Sequence, residues 1–349
     1  MSDHYNMDSI LETLIKEKKG EEVSRLNAVK IVDGLFNDLM DREKDVLVRR
    51  FGLSGNKKET LEKIGKLHQL TRERVRQIES SSLKKIKKLN TLEDDLSVLR
   101  DVVNSLLEQH GGLMRREYLL DILTVFCLEI LDEKVEFSDQ EKTSYRNHFD
   151  FLLSKILSHH FDFVAESEDL NASLKTKDLE TNHLEELAND LMSKVEKIKK
   201  TLSTEELLEM LKDLDSYNKN QEKYNLGNNI DLSAILKSET FPDQANLINS
   251  NKILYSLMQA IKNLERNKFG HWGLTSWQEI KPKTINDKIF LVLKNAGEPL
   301  HFTEIANRIN SVAFDKKVAN PATVHNELIL DNRYILTGRG MYGLKEWNK

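Results

Sequence analysis

The sequence predicts a mainly α-helical protein built from one helix-turn-helix domain and one or more winged-helix domains, each of three helices and a β-hairpin. Three observations lead there. Only 4 prolines and 14 glycines punctuate 349 residues, and Leu, Lys and Glu are abundant, so helix breakers are scarce and helix propensity is high. Two capped helical runs flank a tight turn between Thr60 and Leu89. Three more capped runs precede a glycine-containing strand pair at the C-terminus.

Composition bounds the rest. This length suits two or three domains, and 39% hydrophobic residues against 31% charged ones suit packed cores with a polar exterior. The expected division is an N-terminal tail or helix over 1–27, the helix-turn-helix over 28–92, a diverged winged helix over 93–168, a helical middle over 169–281 whose end echoes a wing, and a second winged helix over 282–349. Met1 to Ser9 is polar and acidic, unlike a signal peptide. The lack of a run of about 18 apolar residues argues against a membrane span. Cys127, the single cysteine, lies in the apolar run Leu123 to Leu128 and reads as a small buried hydrophobe. A reducing cytoplasm is the expected location.

In the helix-turn-helix, Asp41 is the expected cap of a helix through Val46, Leu47 and Phe51, which Gly52 and Gly55 end. Thr60 caps a short helix over Leu61 to Leu67, and Thr71 caps a longer one from Arg72 to about Leu89. Ile64, Leu70, Val75 and Ile78 fall between the helices, and Gly65 falls where they approach most closely. His68 takes a position usually apolar and is read as partly exposed rather than as a metal ligand.

At about 100° per residue, Val75, Ile78, Ser82, Ile86 and Leu89 cluster within roughly 60° as a buried seam. Glu73, Gln77, Ser80 and Lys84 point the other way, flanked by Arg76 and Lys87 on one side and Arg74 and Lys88 on the other. Arg72 lies nearer the seam, but at the first position, where a long side chain reaches past the helix end. Planar guanidinium and amide groups beside a carboxylate are the groups that read base edges in a major groove. Flanking cations suit phosphates, which supply affinity without sequence information. From Asp41 to Asn90 there are 15 Lys or Arg and 7 Asp or Glu, a local charge of +8 in a chain whose total is −5. One basic segment in an otherwise acidic chain is the electrostatic pattern of a nucleic-acid module.

Leu39 to Leu89 resembles region 4 of primary sigma factors. The resemblance rests on Asp41-Arg42-Glu43, Val46-Leu47, Arg50-Phe51-Gly52-Leu53, Thr60-Leu61-Glu62-Lys63-Ile64-Gly65-Lys66 and Thr71-Arg72-Glu73-Arg74-Val75-Arg76-Gln77-Ile78-Glu79. It implies double-stranded DNA with a promoter-like site, and the RNA polymerase core at its flap, as partners. Arg72, Glu73 and Gln77, with Arg76 alongside, match the base-reading positions, and Arg42, Arg50 and Thr60 match phosphate contacts. Arg74, Lys84, Lys87 and Lys88 join the phosphate candidates from the wheel. Ser81 departs from the lysine usual near that position. The resemblance covers about 50 of the 349 residues. No aromatic-rich helix of the promoter-melting kind is evident, so the chain is not expected to open promoters alone.

At the C-terminus, Thr284 caps a helix through Ile289 and Leu293 that Gly297-Glu298-Pro299 ends. Thr303 is the expected cap of a second helix, Glu304 to Asn310, and Asn320-Pro321 starts a third, running to Asn332. Arg333 to Trp347 reads as a hairpin turning at Gly338-Arg339-Gly340. About Lys283 to Trp347 resembles the HARE-HTH domain, found in the delta subunit of bacterial RNA polymerase and in some restriction enzymes and chromatin proteins. The carrying segments are Pro299-Leu300-His301-Phe302-Thr303-Glu304-Ile305-Ala306, Pro321-Ala322-Thr323-Val324 and Gly338-Arg339-Gly340-Met341-Tyr342-Gly343-Leu344. The third helix has no Lys or Arg and carries Glu327 and Asp331, which favours protein contact over groove reading.

Between these ends, Leu92 to Asp95 is expected to close the basic helix, with helices following on either side of Gly111-Gly112. A third helix over Asp139 to His159 and a strand at Phe161 to Val164 complete the diverged winged helix. Leu170 to Tyr224 reads as long helices or a helical linker, and Ile253 to Leu264 as helical. Trp272-Gly273-Leu274 with Trp277 echoes Tyr342-Gly343-Leu344 with Trp347, and chance aromatic spacing is the competing account. His159-His160 lacks a Cys or acidic partner at ligand spacing, so no metal is assigned. No phosphate loop, nucleophile motif or defensible carboxylate pair is present, so neither a cofactor nor an enzymatic activity is expected. The leading function is a sigma-like, sequence-specific transcription protein. The alternative is a polymerase-associated protein that docks without reading DNA, and a nuclease-linked factor ranks third.

Overall fold

The computed structural model describes residues 11–15, 25–131, 137–177, 179–225, 229–241 and 243–348. Most of the expected N-terminal tail lies outside them. Two compact units emerge, Met1–Glu185 with Lys219–Ile261, and Glu186–Asn218 with Lys262–Lys349. The fold is mainly α-helical, with helix-turn-helix and winged-helix elements.

In the first unit, α1 (Ala28–Leu35) starts at Asn27, whose side chain accepts from the Val29 and Lys30 N–H groups. Helix α2 (Asp41–Phe51) has Met40 at its N-cap, and Asp41 is its first residue rather than its cap. Glu43 reaches back instead, accepting the Met40 N–H at 3.0 Å. Gly52, at φ +68°, ends α2 in the left-handed region open to glycine. Thr60 caps α3 (Leu61–His68), and Thr71 caps α4 (Arg72–Ile86). The basic helix thus ends earlier than expected, and Leu92 opens α5 (Leu92–Gln109) rather than closing α4. Helix α5 buries Leu96, Leu99, Val102, Val103 and Leu106.

After Gly111 and Gly112, both at positive φ, come β1 (Leu113–Arg115), α6 (Arg116–Leu131) and α7 (Asp139–Phe151). The helix expected to run on to His159 breaks at a π-helical turn, Leu152–Ile156. Then follow β2 (Asp162–Val164) and β3 (Ser173–Lys175). The antiparallel sheet has order β1–β3–β2, with Met114 and Phe163 both opposite Leu174. Helix, strand, two helices and a hairpin, with the last strand in the middle, is the winged-helix arrangement. It continues past residue 168, because its closing strand lies at Ser173–Lys175.

The middle region is helical as expected but in shorter pieces: α8 (Asn182–Ile198), α9 (Thr204–Lys212), α10 (Asp215–Lys219), α11 (Ser233–Leu236), α12 (Ala245–Ser250) and α13 (Lys252–Ala260). Helix α13 packs in the first unit, where Ser256 Oγ donates to the Leu113 carbonyl at 2.6 Å. Leu264, expected in this helix, belongs to a strand instead.

The second unit holds β4 (Leu264–Arg266) and β5 (Trp272–Leu274), with Leu202 bridging Trp272 on the free side of β5. It continues through α14 (Ile285–Ala296), β6 (Leu300–His301), α15 (Phe302–Val312), α16 (Pro321–Leu330), β7 (Tyr334–Gly338) and β8 (Met341–Leu344). The sheet order β6–β8–β7 repeats the arrangement of the first unit's sheet. Ile289, Val292, Ile305, Val324, Leu328 and Tyr342 form its core. The cap of α15 is His301, not Thr303, and its side chain accepts the Thr303 N–H. The Trp-Gly-Leu echo has a physical basis. A Cβ on Gly273 would lie 2.6 Å from Trp277 Cε3, and one on Gly343 3.2 Å from Trp347 Cε3. In both hairpins a tryptophan four residues on covers the glycine.

Candidate nucleic-acid interface

Helices α2, α3 and α4 meet at Val46, Ile64 and Val75, all fully buried, with Leu61, Leu70 and Ile78 packed around them. Ser82 and Ile86 extend the buried side of α4, and Ser82 Oγ donates to the Ile78 carbonyl at 2.8 Å. The turn between α3 and α4 passes through Gln69 at φ +55°. Gly65 makes this turn possible, since a Cβ there would stand 2.7 Å from the Leu70 carbonyl oxygen. The closest approach is to the turn backbone at Leu70, with the Arg72 nitrogen at the start of α4 at 3.6 Å.

Helix propensity alone would make Gly65→Ala stabilising by about 1 kcal/mol, whereas the collision with backbone costs about 1–3 kcal/mol. Net destabilisation of up to about 2 kcal/mol in urea unfolding is expected, and a gain in stability would show that the turn yields.

Arg72, Glu73, Arg74, Arg76 and Gln77 are all exposed on α4, as are Lys84 further along it and Lys87 and Lys88 just past its end. Arg76 and Glu73 form a two-bonded pair, Nη2 to Oε1 at 2.7 Å and Nε to Oε2 at 2.8 Å. Arg74 Nη1 donates to Gln77 Oε1 at 3.1 Å. The hydrogen bond from Arg76 holds the Glu73 carboxyl below the usual carboxylate range, so it is ionised and acceptor-only near neutrality. The surface thus presents fixed forks and acceptors at consecutive turns of one helix. Binding a duplex would exchange the partners within these pairs.

The phosphate candidates divide. Arg42 is exposed at the start of α2. Thr60 is exposed and accepts the Lys63 N–H at 3.2 Å, which leaves its hydroxyl hydrogen to donate elsewhere. Arg50 is tied inward: Nε to Glu79 Oε2 at 3.3 Å and Nη1 to the Glu59 carbonyl at 3.1 Å. It joins α2 to α4 and to the segment before α3. Ser81 donates to the Ile78 carbonyl at 3.0 Å. His68, half-buried, lies 2.7 Å from Asp45 Oδ2 through Nε2.

Two features escaped the sequence reading. Lys85 Nζ lies 2.8 and 2.9 Å from the two oxygens of buried Glu43, fastening the end of α4 to the start of α2. Glu43 at the third position of its helix was a visible capping signal, but its second partner was not. The other feature is the grip of α7 on the loop after α2. Gln140 donates to the Ser54 carbonyl at 3.0 Å, Ser144 to Leu53, and Asn147 to Gly52 at 2.8 Å. Phe51 and Phe151 pack at 4.9 Å between centroids. Asp150 accepts from Lys58 at 2.6 Å and also from Arg116. The third helix of this winged helix is therefore occupied in holding the helix-turn-helix.

No solved structure matches the chain. RNA polymerase sigma factor SigA1 of Synechococcus elongatus is 40% identical over 74 residues, covering 21% of this chain and 18% of that protein. RNA polymerase sigma factor SigA of Lactococcus lactis subsp. cremoris is 35% identical over 85 residues, covering 24% of this chain and 23% of that protein. SigA of Lactococcus lactis subsp. lactis is 35% identical over 85 residues, covering 24% and 22%. The chain thus spans about a fifth of the length of these curated relatives. The stretch that holds α2, α3 and α4, residues 35–88, matches the family described as Sigma-70, region 4.

Proposed function

We propose that this chain is a sequence-specific DNA-binding transcription protein. It recognises a promoter-like duplex through the outward side of α4 and associates with RNA polymerase, at the flap of the core enzyme, in transcription initiation or its regulation. One observation carries the reading: Arg72, Glu73, Arg76 and Gln77 stand exposed together on a helix whose opposite side is packed into a helix-turn-helix core. Arg42, Thr60, Arg74, Lys84, Lys87 and Lys88 supply the surrounding phosphate contacts. Arg50 acts chiefly by bracing α2 against α4. The chain works by binding rather than catalysis, in the cytoplasm. Among the described residues no helix is long and apolar enough to cross a membrane.

The C-terminal winged helix, resembling HARE-HTH domains, serves protein contact in this account. Its α16 has no cation, and Ile329, Leu330 at 81% exposure and Leu336 on β7 are apolar and open to solvent. Surfaces of this composition suit protein partners rather than phosphates. A second reading, docking on polymerase without reading sequence, is favoured by the pairing of Glu73 with Arg76 and of Gln77 with Arg74, which occupies three of the four readers within the protein.

Gel shifts near physiological salt with sequence competitors separate the two. Arg72→Ala is expected to lose about 1–3 kcal/mol, confined to one base pair of the site. Lys84→Ala is expected to weaken all sequences alike and flatten the salt dependence. An equal loss on every sequence for Arg72→Ala would favour the docking reading. Co-purification of polymerase with the tagged chain tests the partner.

A further inference from the structure

We propose a divalent-metal site in the first unit, formed by Glu93, His159 and His160, with the nitrogen and oxygen ligand set that zinc accepts. The sequence reading set the histidine pair aside for want of an acidic partner. The fold supplies one from a distant stretch of chain, the first turn of α5. His160 Nε2 lies 3.7 Å and His159 Nε2 3.9 Å from the same oxygen, Glu93 Oε1. All three ligand atoms fall within 4.8 Å of one another. These separations are too long for hydrogen bonds. They lie close to the edge of a tetrahedron around zinc, about 3.3 Å for metal–ligand bonds near 2.0–2.1 Å.

Three further features fit. His160 Nε2 is buried and has no hydrogen-bond partner, an orphaned acceptor or donor aimed at the carboxylate. The two imidazole rings lie 4.0 Å apart between centroids, and each has its Nε2 toward Glu93 Oε1. Arg100 Nη1 donates to Glu93 Oε2 at 3.2 Å, which orients the carboxylate and leaves Oε1 toward the histidines. Metal-ligating carboxylates are commonly held this way by a second hydrogen bond. Three protein ligands and a water would complete four-coordination. An occupied site would tie the start of α5, just beyond the end of α4, to the loop that precedes β2.

Calorimetric titration of the full chain with zinc chloride at neutral pH, with cobalt(II) absorption as a geometric readout, tests the site. One saturable equivalent and the intense visible bands of low-coordinate cobalt are expected. Glu93→Gln and His159→Ala should each weaken zinc about tenfold or more. Both side chains are more than half exposed, so these variants keep the fold, as unchanged circular dichroism would verify. No saturable binding, or undiminished binding in the double variant, would overturn the proposal.

Discussion

Lowering the pH from neutrality to about 4 is expected to destabilise the first unit steeply, and His110 is the largest single reason. This histidine is 1% exposed, between the end of α5 and the two left-handed glycines. Its Nδ1 lies 2.7 Å from the Leu106 carbonyl, so the neutral ring donates there. Its Nε2 is buried without a hydrogen-bond partner, and its ring meets the edge of Tyr118 at 5.6 Å. Burial pushes its pKa down to about 3, and the Lys252 ammonium adds to the effect. In the unfolded chain the same ring takes up a proton near pH 6.5. Stability from the neutral ring is therefore present above about pH 6.5 and is lost as the pH falls toward 3, by on the order of 4 kcal/mol across that window. Burial shifts His148 and His183 in the same direction. Thermal unfolding from pH 7 to about pH 4 should show a much shallower fall for His110→Gln, which keeps a donor for Leu106 and cannot charge. Parallel curves for the two proteins would contradict this assignment.

Asp150→Ala is expected to cost about 2–3 kcal/mol, read from the urea midpoint. The carboxylate is 7% exposed and holds Lys58, from the loop before α3, together with Arg116 at the start of α6. Its removal strands two cations at once. Both retain some access to water, which keeps the loss below that of a fully buried pair. Asp150 also sits beside Phe151, whose ring packs on Phe51, so the loss should loosen α7 from the helix-turn-helix. A variant within about 0.5 kcal/mol of the parent would show that the Gln140, Ser144 and Asn147 contacts hold the junction alone.

The helix starts at Thr60, Thr71, Thr284 and Asn320 were legible because capping is local chemistry, decided by one side chain and the next three amides. The exposed side of α4 was legible for a similar reason, since a helical period fixes which residues share a face. Strands β1, β3 and β6 were not, because two or three residues carry no alternation. The end of the basic helix was misplaced because Lys87 to Asn90 has good helix formers and no breaker. Gln140, Ser144 and Asn147 carry no signal of a partner in the sequence, and only the tertiary fold brings three carbonyls of the loop after α2 against them. Arg50 was read from its likeness to a phosphate contact, yet its guanidinium meets Glu79 on another helix. Glu93 could not be linked to His159 and His160 from spacing, since the contact depends on how α5 lies against the loop before β2.

Selection from a random duplex library shows whether α4 distinguishes one sequence from another. With the full chain, one enriched site is expected, and Gln77→Ala should relax it at a single base-pair position, where the amide would otherwise distinguish adenine. Recovery of no preferred sequence, or of the same sequence with and without Gln77, would contradict groove reading by this helix.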